Sequence, residues 1–246
     1  MAKSKFITLG NDLEIPILYE DRNVLAIDKP IGWMLAPDDW VNTSRNLQLA
    51  LESSLGNRDF WAQSRNINFM RYIHRLDADT SGVLLLARSA GALTVLSALF
   101  ETREVEKRYL LVVEGVPKSQ AWECNEPLAP DPKVRGRMIV STKIGKPSVT
   151  RFRVLESKPG RSLIEAYPLT GRTHQIRMHM LASGFPILGD GLYGIPKEKN
   201  AMSLRAVFLA YQDPFQKKKI FITAGTEEFI TQHGFTHKYS SRTPAP

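Results

Sequence analysis

The chain has 246 residues, with 33 Lys or Arg against 25 Asp or Glu and a net charge of +8, so it is expected to be soluble and drawn to polyanions. Its one cysteine, Cys124, excludes an internal disulfide and any zinc or iron–sulfur site built from several cysteines. No apolar run approaches the ~20 residues of a membrane-spanning helix, and Met1-Ala-Lys-Ser-Lys5 leads into mixed polar sequence rather than a secretory signal, so a cytoplasmic, non-membrane protein is expected.

Short strands come first. Ile15 to Leu18 and Val24 to Ile27 read as strands around the turn-like Glu20-Asp21-Arg22-Asn23. Thr43 or Ser44 can cap a helix that carries Leu47, Ala50, Leu51 and Leu55 and stops at Gly56. Val83-Leu-Leu-Leu-Ala87 is a continuous apolar run, expected as a strand buried on both faces. Ser89 can cap a helix whose Leu93, Leu96, Leu99 and Phe100 follow helical spacing. Tyr109 to Val113 is another buried strand, ended by Gly115 and Pro117. Phe152 to Leu155 and Leu163 to Tyr167 form an antiparallel pair around Pro159-Gly160. A last, short helix takes Thr173 as cap, puts Ile176 and Met180 on one face and stops at Gly184. Helices and strands alternate too irregularly for a Rossmann fold, and no glycine fingerprint is present. The class expected is α+β. One domain over residues 15–230 is expected, after a short extension over 1–14 and before a polar, frayed tail over 231–246.

Three clusters carry candidate chemistry. His74-Arg75-Leu76-Asp77-Ala78-Asp79-Thr80-Ser81-Gly82 lies just before the most apolar strand, where a rigid core element can fix a functional loop. If extended, it turns Arg75, Asp77 and Asp79 to one side and Leu76 and Ala78 to the other. Taken alone, it reads equally well as a charged turn. Gly171-Arg172-Thr173-His174-Gln175-Ile176-Arg177 opens the short helix with basic side chains, a setting that suits a phosphate or a carboxylate. His174 and His179 are five apart and lack the glutamate of a zinc protease, so no metal is expected there. Between Lys133 and Arg153, Lys133, Arg135, Arg137, Lys143, Lys146, Arg151 and Arg153 follow one another with no intervening acid, a pattern that fits a hairpin gripping nucleic acid phosphates.

In this order, the clusters resemble the RluA-type family of RNA pseudouridine synthases. The matching strings are Asp28-Lys-Pro30 with Gly32, His74-Arg-Leu-Asp77 with Thr80-Ser-Gly82, and Lys107-Arg-Tyr109 with Glu114-Gly115. Gly145-Lys146, Gly171 to Arg177, Gly189-Asp190 and Tyr193-Gly194 complete the set, from about Ile17 to Pro214. Two strings depart from the family pattern. Ala206-Val-Phe-Leu-Ala210 stands where many members have Leu-His-Ala, and Trp33-Met-Leu-Ala-Pro37 lacks the usual histidine before the proline. Members often carry an RNA-binding S4 module in front, and the few residues before the first strand lead us to expect none here.

The resemblance implies a twisted, largely antiparallel mixed sheet flanked by helices and loops, with a central RNA-binding cleft. It implies isomerisation of specific uridines in ribosomal or transfer RNA to pseudouridine. Asp77 would be the catalytic aspartate, Tyr109 the aromatic residue against the base, and Arg177 the basic partner of Asp77. Substrate or RNA contacts would fall to His74, Arg75, Thr80, Lys107, Lys143, Lys146, Arg172, His174 and Gln175. The reaction breaks N1–C1′ and remakes the link through C5; it oxidises nothing and admits no group, so no cofactor or metal is expected. Asp77 can attack the sugar or remove a sugar proton, and the sequence leaves both routes open. An N-glycosidase using Asp77 and Asp79 is a rival reading, as is an RNA-binding or chaperone protein whose main role is not catalytic. A monomer is the default expectation.

Overall fold

A computed structural model describes residues 3–10, 13–35, 45–194 and 201–241. In chain order the strands and helices begin with β1 (Phe6–Leu9), β2 (Leu13–Glu20), β3 (Val24–Lys29), α1 (Leu47–Gly56), α2 (Phe60–Gln63), β4 (Arg71–Tyr72), β5 (Ser81–Ala87) and α3 (Ala90–Glu101). They continue with β6 (Glu106–Glu114), β7 (Ala121–Cys124), β8 (Leu128–Pro130), β9 (Met138–Val140), β10 (Thr150–Lys158), β11 (Arg161–Pro168) and α4 (Gln175–Ala182). The last are β12 (Leu204–Gln212), β13 (Lys219–Thr223) and α5 (Glu227–Gln232). Strands paired antiparallel and flanked by a few helices make the fold α+β. The chain forms two compact units. One holds the residues up to Val105 with Leu209–Ala224, and the other Glu106–Phe208 with those from Gly225 on.

In the first unit the strand order is β1-β2-β3-β5, with β4 beside β5 and β13 beside β12. Val83 to Ala87 are each at most 1% exposed, as a continuous apolar run on a sheet covered on both faces requires. Alternate residues Val83, Leu85 and Ala87 pack with Val24 and Ala26 of β3, Ala92 and Leu96 of α3, and Ile220 and Ile222 of β13. The Ser89 side chain accepts from Ala92 N and caps α3 as expected. The cap expected for α1 at Thr43 or Ser44 lies outside the described residues. Asn46 occupies the cap position, its side chain accepting from Leu49 N. Gly56 is still helical, and Asn57 ends the helix.

In the second unit the order is β6-β11-β10-β7. The β10–β11 hairpin forms where the sequence places it, with Lys158 opposite Arg161. One face of this sheet packs Leu111, Val113, Phe152, Ile164 and Ala166 against Ile176 and Met180 of α4. Gly184, at φ +85°, ends α4 as expected. The expected frayed tail from residue 231 is corrected by what the chain does there. Phe235 is 2% exposed, Thr236 N and His237 N donate to Glu156 Oε2 at 2.8 Å each, and the Tyr239 hydroxyl donates to Glu165 at 2.8 Å. A buried aromatic and satisfied backbone donors hold this segment, although its composition is polar.

His179 sits in the middle of α4 with no exposed surface. Its Nε2 is 3.0 Å from the Glu126 carbonyl oxygen and its Nδ1 2.9 Å from Thr150 Oγ1. Burial pushes its pKa down, against the pull of the Glu126 carbonyl and carboxylate, so the folded chain favours the neutral ring. The unfolded chain therefore binds more protons in acid, and this contribution to stability is present above the unfolded pKa of about 6.5 and is lost below it. Urea unfolding at pH 7.5 and pH 5.0 should show His179→Gln losing less stability on acidification than the wild-type chain. Equal losses in the two would contradict this assignment.

Candidate active site

The Asp77 string is held by a residue whose chemistry does not show in the sequence. β3 pairs with β5 so that Lys29 lies opposite Gly82, whose φ of +110° is open to glycine and strained for any other residue. From there the buried Lys29 amine donates to the Pro30 and Ala78 carbonyls, both at 2.9 Å. Gly32 N donates to the same Ala78 oxygen at 2.8 Å, and Thr80 N donates to Asp77 O at 3.1 Å. These bonds close a turn directly after Asp77. Burial lowers the Lys29 pKa to about 8, against the opposing pull of the Asp79 and Asp77 carboxylates.

Asp77 is half-buried, Arg75 and Asp79 are exposed, and Leu76 points into the core. The expected alternation holds through Asp77 and gives way to the turn at Ala78. His74 and Thr80 make contacts toward the protein interior. The His74 ring stacks on Phe100, with centroids 4.7 Å apart, and its Nε2 accepts from Leu85 N at 3.1 Å. Thr80 is 2% exposed. Both brace the loop from behind.

The second unit carries the other candidates. Arg177 lies in the first turn of α4, 4% exposed, and forms a fork with Asp190: Nε donates to Oδ2 and Nη2 to Oδ1, each at 2.7 Å. Leu192 N and Tyr193 N also donate to Asp190 Oδ1, at 2.9 and 3.1 Å, and the Arg177 guanidinium lies 5.0 Å from the Tyr193 ring centre. Burial would raise the Asp190 carboxyl, and Arg177 with the two backbone donors overcomes this to hold it below the usual carboxylate range. A two-point fork fixes a guanidinium in orientation as well as position. In the sequence Asp190 stands in a matching string without a role; an acid 13 residues from Arg177 shows its pairing only once the chain is folded.

Thr173 is not the cap of α4. His174 takes that position in the left-handed region, φ 52° and ψ 22°, and its Nδ1 is 2.8 Å from the Tyr193 hydroxyl. Gln175 acts as a clasp within the protein. It is 4% exposed, and its Oε1 accepts from Thr170 Oγ1 at 2.6 Å and from Arg172 N at 3.0 Å. Its Nε2 donates to Val149 O at 3.0 Å and to Thr150 Oγ1 at 2.9 Å. All four bonding positions of its amide are used inside the protein. Arg172 is half-buried and donates to the Pro147 carbonyl. Tyr109 is half-buried on β6, opposite Ala166, and packs on the core beneath α4.

The basic stretch divides. Arg151 pairs with Glu123 at 3.0 Å, and Arg153 with the fully buried Glu165. These acids come from β7 and β11, so Arg151 and Arg153 find their counter-charges across the sheet. Lys143 lies on the exposed turn after β9, and Lys146, also exposed, pairs with Leu128 just beyond it. That turn demands Gly145: a Cβ there would lie 2.2 Å from Ser141 O and 2.7 Å from the Pro127 backbone. Among the described residues no cluster of His, Cys, Asp or Glu could hold a metal, and no helix is long and apolar enough to cross a membrane.

The model of a known family, RNA pseudouridylate synthase, matches residues 23–182. The chain belongs to that family. Those residues include the Asp77 loop, Tyr109 and the Arg177 helix. The chain is 37% identical to an uncharacterized RNA pseudouridine synthase of Zymomonas mobilis, over 89% of this chain and 97% of the relative. It is 38% identical to ribosomal large subunit pseudouridine synthase C of Vibrio vulnificus, over 74% of this chain and 54% of the relative. Against relatives bearing that ribosomal name, this family member spans between 54% and 69% of their length. Among solved structures, human RNA pseudouridylate synthase domain containing 1 superposes with a TM-score of 0.71 at 25% identity, covering 94% of this chain and 96% of that one. The shared fold is the pseudouridine synthase fold.

Proposed function

We propose that this chain isomerises uridine to pseudouridine in RNA, with large-subunit ribosomal RNA as the first substrate class to test. The observation that supports this most is that the matched stretch, 23–182, contains Asp77, Tyr109 and Arg177 together. The ribosomal names of several relatives favour ribosomal RNA over transfer RNA.

In this reading the Asp77 carboxylate acts at the ribose. It either adds to C1′ as the N1–C1′ bond breaks or removes a sugar proton toward a glycal. Arg177 is the basic residue of this reading, and Asp190 fixes its guanidinium. Tyr109 presents an aromatic wall on which the detached uracil turns until C5 faces C1′. The C5–C1′ bond then forms, C5 gives up its proton and N1 takes one, so composition is unchanged. The target nucleotide must leave its stack, which costs a few kcal/mol and least in a loop or mismatch. Arg75, exposed beside the Asp77 turn, is suited to fill the vacated space, and Lys143 and Lys146 to grip the backbone.

Transcripts of large-subunit ribosomal RNA and of transfer RNA, incubated separately with the full chain and digested to nucleosides, test the reading. A C–C-linked nucleoside from the ribosomal transcript supports it, and intact uridine throughout both digests rejects it. Abasic RNA with free uracil would move the reading to the glycosidase. Replacing Lys143 and Lys146 together with Ala should weaken binding and make the log–log salt dependence shallower by about 1.5, since each phosphate that is no longer neutralised removes about 0.7–0.9 from the slope. An unchanged slope in a salt titration would place the RNA elsewhere.

A further inference from the structure

Along β6 the odd-numbered residues Tyr109, Leu111 and Val113 face the core beneath α4, and strand alternation puts Lys107 on that same face. Arg108 takes the opposite face, its guanidinium over the rings of Tyr167 and Phe208. The Lys107 side chain is half-buried and reaches the turn that leads into α4. Its amine donates to the Thr170 carbonyl at 3.5 Å, a long bond, and lies 3.8 Å from where a Cβ on Gly171 would stand. Among the described residues no carboxylate pairs with it. Burial by itself lowers its pKa to about 8. A desolvated ammonium with one weak backbone acceptor is an unusual expense in a fold, and the neutral acceptor it has would be served as well by a shorter polar side chain.

The ligand chemistry follows from what stands beside it. Residues two apart on a strand are separated by about 6.5 Å, close to the width of a pyrimidine with its exocyclic oxygens. A base lying on the Tyr109 ring therefore brings a carbonyl oxygen within reach of the amine. We propose that Lys107 is a catalytic residue that donates a hydrogen bond to a carbonyl oxygen of the target uracil and carries part of the negative charge when the base detaches. This rests on the isomerase reading above. When N1–C1′ breaks, the electron pair stays with the base and spreads over N1 and the two carbonyl oxygens, and the ammonium stabilises that anion without being consumed. When C5–C1′ forms, the electron pair of the anion goes into the new bond and quenches the charge, and transfer of the C5 proton away with protonation of N1 then restores the ring.

Single-turnover rates of the full chain on two transcripts test this, one with uridine and one with 5-fluorouridine at the target. Fluorine already stabilises the departing base, so it takes over part of the work assigned to Lys107. Lys107→Met should lower the rate on uridine by about 10²-fold, the usual effect of removing one preorganised donor to a developing anion. RNA affinity and its salt dependence should stay as in the wild type. On the fluorinated transcript the loss of base detachment should shrink to less than about tenfold. Lys107→Gln keeps an N–H donor and should recover part of the uridine rate; it carries the test if the Met variant does not fold. Rates within about threefold of wild type, equal losses on both transcripts, or weaker binding with a shallower salt slope would each overturn the proposal, the last by making Lys107 a phosphate contact. Wild-type turnover is read in the same assay, so failure of the isomerase reading itself shows as a silent wild-type chain.

Discussion

Asp77→Asn is expected to lower isomerisation by at least about 10³-fold, the scale on which enzymes lose rate with their central nucleophile or base. RNA binding should be nearly unchanged. The substitution keeps the side chain's size, and the backbone amides of Thr80 and Gly32 and the Lys29 amine still hold the turn it sits in. The loss should therefore fall on kcat, with the thermal midpoint within a few degrees of wild type. Rapid-quench kinetics together with filter binding separate the two. Substantial turnover by the Asn variant would remove Asp77 from the role at the ribose.

Arg177→Met carries the second large effect, and it acts on stability and turnover at once. Removing the guanidinium leaves Asp190 buried, 3% exposed, with only backbone donors. Breaking a buried ion pair from one side costs about 3–5 kcal/mol, a large share of the stability of an ordinary domain. Turnover should fall severely as well. The double variant Arg177→Met, Asp190→Leu separates these effects. With both charges gone the buried site becomes apolar, and most of the lost stability should return. Turnover should not return if the proposed basic residue is what the reaction lacks. Urea melts and single-turnover rates on wild type, the single variant and the double variant measure this. A double variant that regains turnover along with stability would reduce Arg177 to a structural residue.

What was legible in the sequence was what depends on near neighbours. The apolar run at Val83–Ala87, the Ser89 cap, the β10–β11 hairpin and the Gly184 stop each follow from residues within one turn or one strand. The strings around Asp77 and Arg177 were equally plain. What stayed hidden was pairing between distant residues. Lys29 reaches Ala78 across 49 positions, and Glu165 meets Tyr239 across 74. Gln175 is read as an RNA contact because a polar side chain in a basic string gives no sign that its amide is already used. The basic stretch looks unopposed for the same reason, since Glu123 and Glu165 arrive from other strands. The polar segment after residue 231 hides a single anchor, Phe235, whose burial decides its fate.

The most direct test of the central claim is tritium release from RNA labelled at uridine C5, with wild type and Asp77→Asn side by side on ribosomal and transfer RNA. Forming the C5–C1′ bond expels that hydrogen, so the wild-type chain is predicted to release tritium from at least one RNA and the Asn variant none above background. Binding by both proteins without release by either would contradict isomerisation and leave an RNA-binding protein in its place.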